Sequence, residues 1–328
     1  MALPRPTLAD IETAARRLAG HAVRTPLLEA PLLNDELGGR LLVKPECLQL
    51  TGSFKIRGAY NKISSLDAAV RRNGVIAYSS GNHAQGVAAA ARMFGVPAVI
   101  VMPKDAPAIK IANTRAWGAE VVTYDRHGES REALAQGIAD ARGLTVVPPY
   151  DDPAIIAGQG TVGLEIALDC RERGIDPDAV VICCGGGGLS SGSAIALSAH
   201  FPSAELHTAE PAGWDDTARS LVAGERVANE GIAASLCDAL MAPIPGEITF
   251  PINRDLMTSG AAVDDGEVVA AMLAANRHFK LIAEPGGAAA LAAVLSGKVP
   301  LRGRTVVAVI SGGNVDPTTY ASLLGGAA

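Results

Sequence analysis

Val75-Ile76-Ala77-Tyr78, then Ser79-Ser80-Gly81-Asn82-His83-Ala84-Gln85-Gly86, then Ala98-Val99-Ile100-Val101-Met102 read as an apolar strand, a polar loop opening a helix over 83–94, and a second strand. Strands this continuously apolar suit a parallel sheet covered on both faces. The alternation extends outward. Helices over 56–65, 108–117 and 130–141 are interleaved with strands over 120–124 and 144–147. Pro148-Pro149-Tyr150-Asp151-Asp152-Pro153 is the strongest punctuation and marks a domain crossover. Beyond it come a long helix over 155–173, a strand over 179–184, a helix over 190–200 and a strand over 205–209. Residues 223–262 show no clear pattern, and helices over 266–279 and 286–295 precede a strand over 305–310. At the amino end Thr7 or Asp10 caps a helix with the apolar stripe Ile11, Ala14, Ala15 and Leu18, closed by Gly20. Residues 25–28 are extended and 41–44 form a short strand. The class is α/β.

With 328 residues, 48% hydrophobic and 19% charged, the chain can bury one large core or two ordinary ones. A net charge of -6 and a pI near 5.6 argue against a nucleic-acid surface. The amino terminus lacks the apolar core of a signal peptide, and the apolar stretch over 87–102 is broken by Arg92 and Pro97, so no membrane span is expected. The five cysteines (Cys47, Cys170, Cys183, Cys184, Cys237) are odd in number and lack a CxxC pair, which points to reduced thiols in a cytoplasm.

Four loops carry chemistry. In Gly52-Ser53-Phe54-Lys55-Ile56-Arg57-Gly58 a lysine emerges beside Phe54 and Ile56. Desolvation there would supply the neutral amine of a Schiff-base lysine; the alternative is an ordinary lysine at a helix start. Gly185-Gly186-Gly187-Gly188-Leu189 lies between a strand and a helix, where glycines admit an anion to the backbone N–H groups. The rival is a dinucleotide site of a nicotinamide dehydrogenase, with Glu210 as the ribose acid, but the third glycine of GxGxxG falls on Ser190 or Ser191. The loop over 79–86 offers hydroxyl, amide and imidazole where a helix cap needs only one. Ser311-Gly312-Gly313-Asn314 ends a strand and offers a hydroxyl to a ring nitrogen, or is a turn after an edge strand. Glu210, Asp215 and Asp216 suit a hard cation or the N-terminus of a helix. The six histidines have no zinc spacing.

The motifs GSFKIRGA, SSGNHAQG, GGGGL, AEPGGAA and SGGNVD, in that order, resemble the fold-type II pyridoxal-phosphate enzymes, and within them the threonine/serine dehydratases and serine racemases. The resemblance implies two doubly wound parallel-sheet domains with the active site between them. Residues 1–54 and 148–328 would form the large cofactor-binding domain, and 55–147 a small mobile one. It implies pyridoxal 5'-phosphate carried on Lys55, with Phe54 against its ring and Asn82 on its 3-hydroxyl. Gly185, Gly186, Gly187, Gly188 and Leu189 would hold its phosphate, and Ser311 would face its ring nitrogen. Ser80, Gly81, Asn82 and His83 would bind the substrate carboxylate.

Two segments resemble the racemase-like branch. One is a divalent-cation loop with Glu210, Asp216 and the Trp214 carbonyl as ligands to Mg²⁺ or Ca²⁺; the other is Ser130-Arg131-Glu132, with Arg131 facing substrate. Pro149-Tyr150-Asp151-Asp152-Pro153 instead resembles catabolic threonine dehydratases. The activity implied is a dehydratase (ammonia-lyase) acting on threonine or serine, with 3-hydroxyaspartate dehydration or serine racemisation as alternatives. Lys55 would take the α-proton, and Ser80 would serve the opposite face in racemisation. A homodimer is implied as well.

Overall fold

Runs of valine, isoleucine and alanine build the inner strands, whose branched side chains pack on both sheet faces. The computed structural model describes residues 4–106, 108–125, 128–230 and 234–326. In chain order the strands are β1 (Leu28–Glu29), β2 (Arg40–Pro45), β3 (Val75–Tyr78), β4 (Ala98–Pro103), β5 (Glu120–Tyr124), β6 (Thr145–Val146), β7 (Ala179–Cys183), β8 (Glu205–Pro211), β9 (Ser259–Val263) and β10 (Thr305–Ile310). They form a six-stranded sheet, β1-β2-β10-β7-β8-β9, and a four-stranded sheet, β5-β4-β3-β6. Every pairing is parallel except β1 on β2. The expected α/β architecture with two parallel sheets is present. Among the described residues no helix is long and apolar enough to cross a membrane.

Three strands of the larger sheet lie side by side and end at the same edge. β2 leads to Lys55, β10 to Ser311 and β7 to the glycine loop. Ser311 therefore follows an interior strand, flanked by β2 and β7, and not the edge strand of the alternative reading. Strand order is a long-range property that local pattern does not carry.

The stretch 223–262, unreadable in sequence, holds a 3₁₀ turn (Asp238–Leu240), a helix (Thr249–Leu256) and the edge strand β9. The Ser-Gly-Ala-Ala-Val of β9 is too small and mixed to show a strand period. The helix expected over 266–279 is α-helical only over Asp265–Ala274. It continues as a π turn over Ala275–Phe279 and stops at Lys280, whose φ is 60°.

One helix, Pro153–Glu172, sets the spacing of the site. It packs between the helix Lys55–Ser65 and the helix Gly188–His200. A Cβ on Gly158 would lie 2.6 Å from the Arg57 carbonyl oxygen, and one on Gly160 would lie 2.7 Å from the Gly192 carbonyl oxygen. Only glycine permits backbones this close. The lysine's helix and the glycine loop's helix are thus registered against one rod.

Candidate active site

The residues that the resemblance assigns to cofactor and substrate come together in one cavity of about 190 Å³. Phe54, Lys55, Ser80, Gly81, Asn82, His83, Arg131, Gly185, Gly186, Gly187, Gly188, Leu189 and Ser311 all line it. They arrive from both sheets, so the cavity lies between them.

Lys55 is the first residue of its helix. Its Nζ donates to the Pro149 carbonyl (2.8 Å) and sits 5.1 Å from the centroid of the Phe54 ring. Burial pushes its amine down to about 8. The loop is stitched to the Ser311 loop by backbone: Phe54 N–H donates to the Ser311 carbonyl (3.1 Å), and Gly313 N–H to the Gly52 carbonyl (2.9 Å). Two motifs from opposite ends of the chain are thereby held in register. Ser311 and Cys183 both line the cavity; burial pushes the Cys183 thiol up to about 11 and keeps it neutral, with Ser311 opposing the rise.

The glycine loop forms a cradle. The helix begins at Gly188, two residues earlier than expected, and its first bond runs from Ser191 N–H to the Gly187 carbonyl (2.9 Å). The amides just before it are left unused by the helix. Gly187 has φ 88°, a region costly for any side chain. A Cβ on Gly186 would run into the Tyr150 ring. The loop is braced from outside: Asp151 accepts from Glu247 and Ile248 N–H (2.7 and 2.8 Å), and Thr249 Oγ1 donates to the Gly186 carbonyl (2.7 Å). These donors gather at the positive end of a helix in a cradle free of side chains, so the residues present fit a phosphate group. Asp151 and Thr249 went unassigned in sequence, because their roles arise across 97 and 63 positions, as did Tyr150, which meets the loop from outside it.

In the loop after β3, His83 is 2% exposed. Its Nε2–H donates to the Val147 carbonyl (2.8 Å), which leaves Nδ1 buried without a partner among the described residues. Burial, aided by the Lys55 charge, pushes its pKa down to about 3. Asn82 donates to Glu284 and accepts from Asn314 Nδ2 (2.7 Å). Neither partner was singled out from sequence, although both stand within quoted motifs.

Two cations line the cavity as well. Arg131 lies with Cζ 5.6 Å from the Tyr78 ring centroid and pairs with Glu132 (2.7 Å). Lys110 pairs with Asp238 (2.7 Å).

Away from the cavity, Glu210 and Asp216 are both wholly buried. Glu210 accepts from Thr217 and Ala218 N–H (2.9 and 2.7 Å), so it caps the helix Asp216–Ala223 in place of Asp215. Asp216 accepts from Asn229 (2.8 Å) with Oδ1, while Oδ2 has no partner among the described residues. Burial, then the neighbouring Asp216, pushes Glu210 up to about 8; burial pushes Asp216 up to about 6. Trp214 is buried on the turn between them. Among the described residues no group of three or more His, Cys, Asp or Glu side chains could hold a metal.

The sequence pattern described as pyridoxal-phosphate dependent enzyme matches residues 18–312. The chain is 43% identical over 317 residues to an L-threo-3-hydroxyaspartate ammonia-lyase from Pseudomonas sp, covering 97% of this chain and 98% of that one. Its structure resembles a threonine deaminase from T.th. with a TM-score of 0.89 at 43% identity, covering 95% of this chain and 99% of that chain. A maize serine racemase gives a TM-score of 0.90 at 36% identity, with 97% of each chain covered.

Proposed function

Because the chain belongs to the pyridoxal-phosphate dependent enzyme family, we propose that it is an ammonia-lyase that converts a β-hydroxy L-amino acid to a 2-oxo acid and ammonia. The observation that carries this is the meeting, in one cavity, of a lysine with a lowered pKa and a side-chain-free phosphate cradle. When bound there, pyridoxal phosphate supplies an electron sink for the substrate's α-carbon. The chain's own residues do the rest. Lys55 holds the cofactor and, as a neutral amine, takes the α-proton. The amides of Gly185, Gly186, Gly187, Gly188 and Leu189 bind the phosphate. Phe54 would lie against the ring, and Ser311 would offer its hydroxyl to the ring nitrogen; both line the cavity. The Asn82 side chain would meet the cofactor's 3-hydroxyl oxygen, and the loop of Ser80, Gly81, Asn82 and His83 would bind the substrate carboxylate. Ser80 also serves the face opposite Lys55 when serine is racemised. Residues 55–147 close as a small domain over the remainder, 1–54 and 148–328, and exclude water.

A second reading concerns the substrate. Arg131 lines the cavity and can meet a second carboxylate. That favours 3-hydroxyaspartate over threonine or serine; identity does not separate them, since it is 43% to the Pseudomonas sp hydroxyaspartate enzyme and 43% to the threonine deaminase.

The proposal includes a divalent cation, Mg²⁺ or Ca²⁺, held by Glu210, Asp216 and the Trp214 carbonyl. Its support is the unpartnered Asp216 Oδ2 beside a second buried carboxyl, both pushed up in pKa. A hard cation would relieve both. The cation's contribution would be structural, fixing the turn after β8. A cytoplasmic homodimer completes the reading.

The test is release of 2-oxobutanoate from L-threonine, pyruvate from L-serine and oxaloacetate from L-threo-3-hydroxyaspartate, with pyridoxal phosphate and Mg²⁺ present. Lys55→Ala should lower every rate by roughly 10³-fold or more. Oxaloacetate release well ahead of the others supports the role of Arg131. No 2-oxo acid from any of the three overturns the assignment.

A further inference from the structure

Glu284 is the N-cap residue of the helix Pro285–Leu295, yet its side chain makes no capping bond. Its carboxylate turns into the cavity, 5% exposed, and accepts from Asn82 Nδ2. Space for it exists because position 312 is glycine: a Cβ there would run into Glu284 Oε1. Asn82 follows β3 of the smaller sheet, whereas Glu284 and Asn314 lie on the side of the larger one.

The polarity of this chain of bonds follows from its far end. The Thr51 carbonyl can only accept, so Asn314 must present its NH₂ there (2.8 Å). The same NH₂ donates to Asn82 (2.7 Å), so Asn82 must present its oxygen to Asn314 and its nitrogen to Glu284. With its oxygen committed and one N–H spent, Asn82 has a single N–H left for the cavity. Burial pushes the Glu284 carboxyl up to about 7; the Asn82 bond and Lys110 oppose the rise and Asp238 adds to it. In either protonation state an oxygen remains to accept from Asn82.

We propose that Glu284 is a positioning residue: by accepting from Asn82 it fixes that amide so that an N–H, not an oxygen, meets the group held in the cavity. The inference rests on reading the cavity as a pyridoxal phosphate site. A donor at that place favours an anionic ring oxygen on the cofactor over a protonated one. Glu284 acts on the cofactor only through Asn82.

The experiment uses the holoenzyme at one fixed pH. It measures the cofactor's dissociation constant and the ratio of its long- to short-wavelength absorption bands. Glu284→Leu should weaken cofactor binding about 10-fold, the loss expected for one hydrogen bond to a charged group. It should also shift the band ratio by about twofold or more, as the amide of Asn82 is freed to turn. Glu284→Gln retains an acceptor oxygen and should stay within about twofold of wild type on both readouts. Gly312→Ala pushes the carboxylate off Asn82 without removing any polar group, so it should reproduce Glu284→Leu and carries the test if that variant does not fold. Unchanged bands in Glu284→Leu or Gly312→Ala, with wild type loaded, overturn the inference alone. A wild-type protein with no cofactor band overturns the reading beneath it.

Discussion

Lys55 and Arg57 stand two positions apart on the first turn of one helix, so they face different ways. Arg57 is 1% exposed and every donor is engaged: Glu46 at 2.7 and 2.8 Å, Glu165 at 2.7 and 2.9 Å, Thr161 at 3.2 Å and the Val23 carbonyl at 3.1 Å. Lys44, also wholly buried, joins through Glu165 at 2.7 Å. Burial works against the Arg57 charge, but Glu46 and Glu165 outweigh it. Lys55 has one neutral partner, a carbonyl, and burial wins. Around it His83 and Glu284 are likewise pushed toward their neutral forms. A buried charge with a complete set of partners holds the fold. A buried charge left short of partners marks where a ligand or substrate completes the set.

The comparison breaks first at Arg57. Arg57→Ala leaves Glu46, itself wholly buried, without its cation and should lower unfolding free energy by about 3–5 kcal/mol, read as a reduced urea midpoint with unchanged slope. Turnover per folded molecule should survive, because Arg57 does not line the cavity. If stability held while turnover collapsed, the cluster would belong to the site after all.

The cradle gives the next test. Gly187→Ala must hold a side chain at φ 88° with its Cβ 2.8 Å from Thr249 Oγ1. The backbone cost is about 1–2 kcal/mol. A smaller melting shift than for Arg57→Ala is expected, together with a cofactor dissociation constant raised about 10-fold or more by the same strain. Calorimetry and equilibrium dialysis separate the two. Lost stability with intact cofactor affinity would make the loop a turn and not a phosphate site.

Much of this contrast was legible in sequence, and the boundary has a physical cause. The glycine loop and the loop of Asn82 could be picked out because each sits between a strand and a helix and its composition exceeds what a turn needs, whereas Lys55 and Ser311 were assigned by the resemblance of their motifs. Glu284 and Asn314 stand inside motifs that were read, yet their roles need partners 202 and 232 positions away. Asp151 and Thr249 brace the cradle across a stretch with no readable period. The bonded cluster at Arg57 left no local mark either, since an arginine after a lysine reads as a solvated face until Glu46 and Glu165 are seen beside it. Local chemistry showed what is offered to a ligand; which charges are already satisfied was set by the fold.

The smallest effect lies in how His83 titrates. Its folded pKa, about 3, is below the ordinary histidine value of 6.5. Between those values the unfolded chain binds a proton that the native ring refuses. Native stability on this account is present above the unfolded pKa and drains away as pH falls toward the folded one. From about pH 7 to pH 6 the expected loss is about 0.7 kcal/mol. Glu284, whose folded pKa is raised to about 7, acts in the opposite sense, losing its contribution as pH rises through that value. Glu210 and Asp216, raised to about 8 and about 6, act in the same sense as Glu284 and together outweigh His83 in the wild-type curve, so the informative quantity is a difference. His83→Gln keeps a donor for the Val147 carbonyl but cannot be protonated. Measured relative to wild type, its chemical denaturation midpoints should move progressively upward as pH falls over this range. If the two curves run parallel, the ring at position 83 already titrates as an ordinary histidine. The partner missing from Nδ1 would then be water, and this corner of the cavity would belong with the satisfied charges rather than with Lys55.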